Sequence, residues 1–196
     1  MNKKKPILVA RSCLSKLGIK FPPVPIEKLV SFANAFVIEG PLDNDGYTFR
    51  QKDLERMVFL CEGANSEILK SLREAEKKGL KNKYFILLKS EVPLVRKRFT
   101  LAHEIGHIVL KHFERSEFIY FFHKDENHNY FEEEANLFAS EVLVPYPFLK
   151  QAIFQAKIRD IPSLARLFNV SEQVITIKLK YYNLLDIVVP KLNKRF

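Results

Sequence analysis

Apolar residues fall three and four positions apart through Phe99, Ala102, Ile105 or Gly106, and Val109. That spacing predicts an amphipathic helix over 96–112 with one buried face. A second stripe, Phe131, Ala135, Phe138 and Val142, predicts another helix over 130–143. Upstream the pattern is mixed. Residues 7–17 and 26–35 read as helices, separated by the Phe21-Pro22-Pro23-Val24-Pro25 break. Residues 36–39, 57–61 and 84–88 read as short strands, and Asp43-Asn44-Asp45-Gly46-Tyr47 as a turn into another. From Val95 onward helical spacing dominates. Near the C-terminus, 161–179 reads as two short helices around a turn, with Ser171 as N-cap and Leu164, Phe168, Val174 and Leu179 as core positions. The expected fold class is α+β: a small N-terminal sheet packed on a helical core, followed by a helix-turn-helix-like helical hairpin.

The first helix carries chemistry. Its sequence Arg98-Phe99-Thr100-Leu101-Ala102-His103-Glu104-Ile105-Gly106-His107 contains an H-E-x-x-H motif. Residues four apart on a helix lie one above the other, so His103 and His107 can present two imidazoles to one metal ion. Glu104 sits about 100° round the helix from His103, able to reach a water on the open side of the metal without ligating it. This is the arrangement for zinc-assisted hydrolysis: the cation lowers the pKa of its water and the carboxylate takes the proton. The alternative, two ordinary histidines and a solvated glutamate, fits poorly. Thr100, His103 and His107 line a face next to the core, and Glu104 has no cationic partner three or four residues away.

A catalytic zinc needs a third protein ligand. An extended H-E-x-x-H-x-x-G-x-x-H motif is excluded, because its last two positions hold Leu110 and Phe113. His112 is one residue short, about 100° from the metal face of a continuing helix. The remaining solution is a glutamate from the second helix. Glu132 lies beside the core stripe with Ala135, Asn136 and Ala139 on its own face, small enough for the two helices to approach. Glu133 and Glu134 turn further away and read as solvated charges, though together with Asp125 they are the next candidates. Asn136 is placed to accept a hydrogen bond from a ligand imidazole. His112, His123, His128, Tyr130 and Tyr47 are candidates for stabilising an oxyanion, each more often a surface residue. The stretch 118–122 reads as a strand or as a flap over the cleft.

The string RFTLAHEIGH, followed by Glu132-Ala135-Asn136-Phe138-Ala139 in an E-x-x-A-N-x-F-A pattern and then Val142-Leu143-Val144-Pro145, resembles the ImmA/IrrE metallopeptidase family. The resemblance runs from about Phe85 to Pro145 and more weakly to about Leu185. It implies a cytoplasmic zinc endopeptidase of the gluzincin type, a zincin-like core, and a helix-turn-helix repressor as substrate in a mobile-element or stress-response setting. Carried over, the zinc ligands are His103, His107 and Glu132 and the general base is Glu104; no other cofactor is implied. In gluzincin-like folds the sheet's edge strand binds the substrate backbone by strand addition. The chain departs from the family pattern in a long connection over 62–82, where 66–79 reads as a capped helix closed by Gly79. It is read as a solvated surface helix rather than a partner contact. Lys89-Ser90 also stands where the family often has Asn.

Composition narrows the setting. The 196 residues are 47% hydrophobic, enough for one core or one core with a small appendage. The expected division is a metallopeptidase domain over 1–145 and a C-terminal helical region over 146–196 continuous with it. Two cysteines, Cys13 and Cys61, give no disulfide framework, and no apolar run has the length of a signal h-region or a membrane span. A cytoplasmic protein without membrane contact is expected, with oligomeric state open. The formal net charge is +9. From Lys150 onward nine basic side chains face three acidic ones, so non-specific nucleic-acid contact through this region is a further expectation. Two rival readings follow: a DNA-binding regulator with structural zinc, in which Gln173, Thr176 and Lys178 face bases, and a protein-interaction module without proteolysis. An intact Glu104 favours the peptidase, since a structural site has no use for a carboxylate beside an open metal position.

Overall fold

The apolar run of 84–88 is the sequence of a strand covered on both faces, and it lies at the centre of a mixed three-stranded sheet. The computed structural model describes residues 4–53, 70–71, 73–74, 84–115 and 126–189. In chain order the elements are α1 (Lys4–Lys16), α2 (Ile26–Phe32), β1 (Ala35–Gly40), β2 (Gly46–Arg50), β3 (Tyr84–Lys89), α3 (Leu94–Val109), α4 (His112–Arg115), α5 (Glu126–Leu143), α6 (Tyr146–Phe154), α7 (Ile161–Phe168), α8 (Glu172–Tyr181) and α9 (Leu185–Val188). The protein is α+β. β1 pairs with β3 in parallel, Ala35 opposite Tyr84, and β2 pairs with the other side of β3 antiparallel, Gly46 opposite Leu88. Among the described residues β2 is therefore an outer strand.

α3 lies between this sheet and α5. Ala102, Ile105, Phe138, Ala139 and Val142 are fully buried, as both helical stripes predict. The approach is close because of small residues: a Cβ on Gly106 would lie 3.1 Å from Phe138 Cδ1 and 3.3 Å from Ala135 Cα. One apolar cluster runs from Leu29 and Ile86 through these helices to Leu149, Leu164, Phe168, Ile175 and Leu179. The C-terminal helices thus share the core of the motif helices. Ser171 caps α8 as expected, its hydroxyl accepting from the Val174 amide, and Asn169 ends α7 in the left-handed region at φ 52°.

Buried charges tie the helices together. Arg98 donates to the carbonyls of Val24 (2.9 Å) and Asn169 (3.1 Å), joining the start of α3 to the proline-rich loop and the end of α7. Glu141 of α5, fully buried, accepts from Arg11 of α1 (2.7 Å), Lys178 of α8 (2.5 Å) and the Tyr182 hydroxyl (2.8 Å). Burial favours the protonated acid, but these charges and hydrogen bonds outweigh it and hold the Glu141 pKa below the usual carboxylate range.

Several boundaries differ from the periodicity, among them the first helix, which runs Lys4–Lys16 rather than 7–17, and the motif helix, which starts at Leu94 rather than 96. α2 stops at Phe32 rather than Ala35, because Asn34 adopts φ 50°. The motif helix stops at Val109 rather than at residue 112, because Lys111 adopts φ 62°. The second helix begins earlier, at Glu126. The strand expected at 57–61 and the strand or flap at 118–122 lie outside the described residues, as does most of the helix expected at 66–79, of which Lys70, Ser71, Arg73 and Glu74 are helical. No described helix is long and apolar enough to cross a membrane.

Candidate metal centre

His103 and His107 share one face of α3, and Glu132 reaches them from α5. The Nε2 atoms of the two imidazoles lie 3.1 Å apart. Glu132 places Oε2 3.1 Å from His103 Nε2 and Oε1 3.3 Å from His107 Nε2. Two ligands on a tetrahedral zinc, each at ~2.0–2.1 Å, stand ~3.3 Å apart, so this spacing suits one small cation. The other ring nitrogens fix the tautomers. His103 Nδ1–H donates to Asn136 Oδ1 at 3.0 Å, and His107 Nδ1 lies 3.0 Å from His112 Nδ1. With both Nδ1 atoms protonated, both Nε2 lone pairs and a carboxylate converge on one point, three acceptors that a cation satisfies together. Without a cation, a proton serves in part. Burial opposes charging His103, yet its hydrogen bond to Glu132 and the nearby carboxylates push its pKa up. Glu132, despite burial, is held well below the ordinary carboxylate range by His103 and His107.

Glu104 is 7% exposed, and Thr48 Oγ1 on β2 donates to its Oε2 at 2.7 Å. Gly46 is what lets β2 come so near. A Cβ there would stand 2.7 Å from Thr100 Cγ2 and 3.2 Å from Glu104 Oε1. Thr100, one turn before Glu104, thus lies against the same glycine of β2 as the carboxylate.

The surroundings correct two expectations. Glu134 is not a solvated charge: it is fully buried, accepting from Tyr130 Oη at 2.8 Å and from His112 Nε2 at 3.1 Å. His112 is not a surface residue. Counting 100° steps assumed an unbroken helix. The left-handed Lys111 breaks it, and α4 starts afresh with the His112 ring folded back against His107 and over Phe131, ring centroids 4.6 Å apart. Arg50 of β2 donates to the Phe113 carbonyl at 3.1 Å and so fixes α4. A chain His107–His112–Glu134–Tyr130 therefore stands behind the site. No spacing in the sequence announced it; nor was Thr48 foreseen, a lone threonine on a short strand. Glu133 is exposed as expected. Tyr47 bonds Asn44, and Tyr130 is engaged by Glu134. His123, Asp125 and the His128 side chain lie outside the described residues.

Two imidazoles and a carboxylate on adjoining helices, beside a buried carboxylate held by an outer strand, form a group that could hold a metal ion. Residues 57–180 match the family model Peptidase_M78, IrrE N-terminal-like domain, and the chain belongs to that metal-dependent peptidase family. No curated protein sequence matches the chain.

Proposed function

We propose that this protein is a zinc-dependent endopeptidase in which His103, His107 and Glu132 hold the metal and Glu104 is the general base. The observation that carries the reading is Glu104, buried and held by Thr48 at 2.7 Å next to the convergent donor set. Two imidazoles and one carboxylate suit zinc, and three protein ligands leave a fourth position open, the mark of a catalytic rather than a structural site. Zinc bound there supplies Lewis acidity, lowering the pKa of water and polarising the scissile carbonyl.

The chain's own groups do the rest. Glu104 accepts the proton of the attacking water and delivers it to the departing amide nitrogen. Thr48 occupies Oε2, which keeps the carboxylate oriented for that transfer. Asn136 holds His103 by its Nδ1 proton, and Thr100 lies beside Gly46 as the base does. The substrate backbone lies along β2, the outer strand among the described residues, and adds to it by main-chain hydrogen bonds. The architecture is read as a zincin-like core over 1–145, with a helix-turn-helix-like hairpin in 146–196 continuous with it.

A helix-turn-helix repressor as substrate, in a mobile-element or stress-response setting in the cytoplasm, follows from the family resemblance. The DNA-reader alternative is weakened by the structure. Lys178 is buried on Glu141, and the Thr176 hydroxyl donates to the Glu172 carbonyl at 2.8 Å, so two of three base-facing candidates are already engaged.

The test uses two variants and a repressor encoded beside the gene, with a chelator control. Glu104→Gln should keep about one zinc per chain and lose ~10²-fold or more of the cleavage rate, the scale for removing a general base. Glu132→Ala should lose zinc. Full cleavage by the Gln variant overturns the role of Glu104, and full zinc occupancy in Glu132→Ala overturns the third ligand.

A further inference from the structure

A groove of about 930 Å³ opens beside the metal ligands and runs between α3, α5 and α8. That is near the upper end of the ~300–1,000 Å³ usual for ligand sites. Its walls include Phe99, Thr100, Asn136, Leu137, Val174 and Ile177. Two of these belong to the site already described. Asn136 holds His103, and Thr100 lies beside Gly46 as Glu104 does, so the groove is continuous with the reacting centre. A polypeptide laid along β2 across the metal sends the residues on one side of the scissile bond into it.

The chemistry of the walls is apolar. Ile177 is 54% exposed, and Phe99, Leu137 and Val174 are half-buried around the same space. A single exposed isoleucine needs no explanation, but four large apolar side chains around one cleft next to a reacting centre do. Arg96 pairs with Asp45 at 2.7 Å, and Glu133 adds an exposed carboxylate to the lining. That leaves the lining net acidic and opposed to an acidic side chain. α8 cannot drift from its place, because Lys178, next to Ile177, is anchored on Glu141.

We propose that this groove receives a bulky apolar side chain of the substrate polypeptide beside the scissile bond, and that Val174 and Ile177 of α8 determine which side chains fit. The inference rests on the peptidase reading and gives the C-terminal helical region a role in that reaction. It selects sites with leucine, isoleucine, phenylalanine or methionine flanking the bond and disfavours aspartate there.

The experiment separates this inference from catalysis by reading binding. Zinc-loaded Glu104→Gln protein is titrated with fluorescein-labelled ten-residue peptides that differ only at one central position: Leu, Phe, Ala, Asp or Lys. The Leu and Phe peptides should bind roughly 10–200-fold more tightly than the Asp peptide, the range a hydrophobic subsite provides. Adding Ile177→Lys should remove most of that difference while leaving zinc content and the thermal melt unchanged, since this side chain is exposed. Val174→Ala should shift preference towards larger side chains. Equal binding of all five peptides, undetectable binding included, overturns the inference, as does discrimination that survives Ile177→Lys. If discrimination is present and lost on Ile177→Lys but wild type cleaves none of the peptides, the groove stands and the peptidase reading falls.

Discussion

Replacing His112 with Phe tests whether the buried chain behind the metal ligands governs metal binding. Phe keeps the ring, its packing on Phe131 and the apolar fill, but removes both nitrogens. His107 Nδ1–H, on a side chain only 4% exposed, then loses its acceptor at 3.0 Å. Glu134, fully buried, loses the donor on Oε2 and keeps Tyr130 on Oε1. A hydrogen bond to an ionised group contributes about 1.5–3 kcal/mol, so the variant should be destabilised by an amount in that range. The metal senses a different loss. Free of its anchor, His107 can rotate and no longer has its Nε2 lone pair preset towards His103 and Glu132. Loss of such an outer partner weakens metal affinity by about 10–100-fold, equivalent to about 1.4–2.7 kcal/mol. Competition against a fluorescent zinc chelator measures this directly, with circular dichroism melts to confirm folding. Glu134→Gln should be milder than His112→Phe, because the amide oxygen still accepts from His112 Nε2. A folded His112→Phe variant whose zinc affinity stays within about twofold of wild type would refute the reasoning, and His107 would then be held by its helix alone.

Thr48→Val removes the hydroxyl from Glu104 with little change in volume; kcat should fall by about tenfold with zinc content unchanged, and Thr48→Ser should restore most of it, measured by peptide cleavage and elemental analysis. Gly46→Ala forces a methyl to 2.7 Å from Thr100 Cγ2 and 3.3 Å from the Leu87 carbonyl, so β2 must back away from Glu104; about 1–3 kcal/mol of stability and most activity should be lost while zinc is retained, and a variant as stable and active as wild type refutes the contact. Glu141 has a folded pKa below its unfolded value near 4.5, so the stability it contributes is present above that pH and lost as pH falls towards the depressed folded value. Glu141→Gln should therefore be about 3–5 kcal/mol less stable at neutral pH, with a flatter stability profile below pH ~4.5 in denaturant titrations; a profile parallel to wild type would show that another group carries the acid sensitivity.

The two motif helices were legible because each solves a local problem visible in one stretch of chain. The apolar stripes fix which face is buried, and His103, Glu104 and His107 then have only one place to point. Glu132 and Asn136 could be read as well, since small neighbours on the same face signal a close partner helix. What escaped depends on partners that no local pattern encodes. Glu134 looks solvated in its own helix and is buried only because His112 and Tyr130 meet it. His112 was misplaced by a single non-glycine residue, Lys111, in a left-handed conformation with no sequence mark. Thr48 is tied to Glu104 across a gap of 56 residues, which strand alternation cannot foresee. The regions on either side of residue 145 were read as continuous, and one apolar cluster includes residues of both.

The two regions are also joined at Glu141, where α1, α5 and α8 meet on one carboxylate. Glu141 stands nine residues along α5 from Glu132. Helices so joined cannot be traded like cassettes. Removing α8 would take Lys178 and Tyr182 from Glu141 Oε2 and leave Arg11 and the Tyr146 amide on Oε1. Oε2 would then need a new donor or a proton, and α5, which also bears Glu132, would be held less firmly. The ordering of the helix that bears Glu132 thus draws on contacts made by α8, far along the chain.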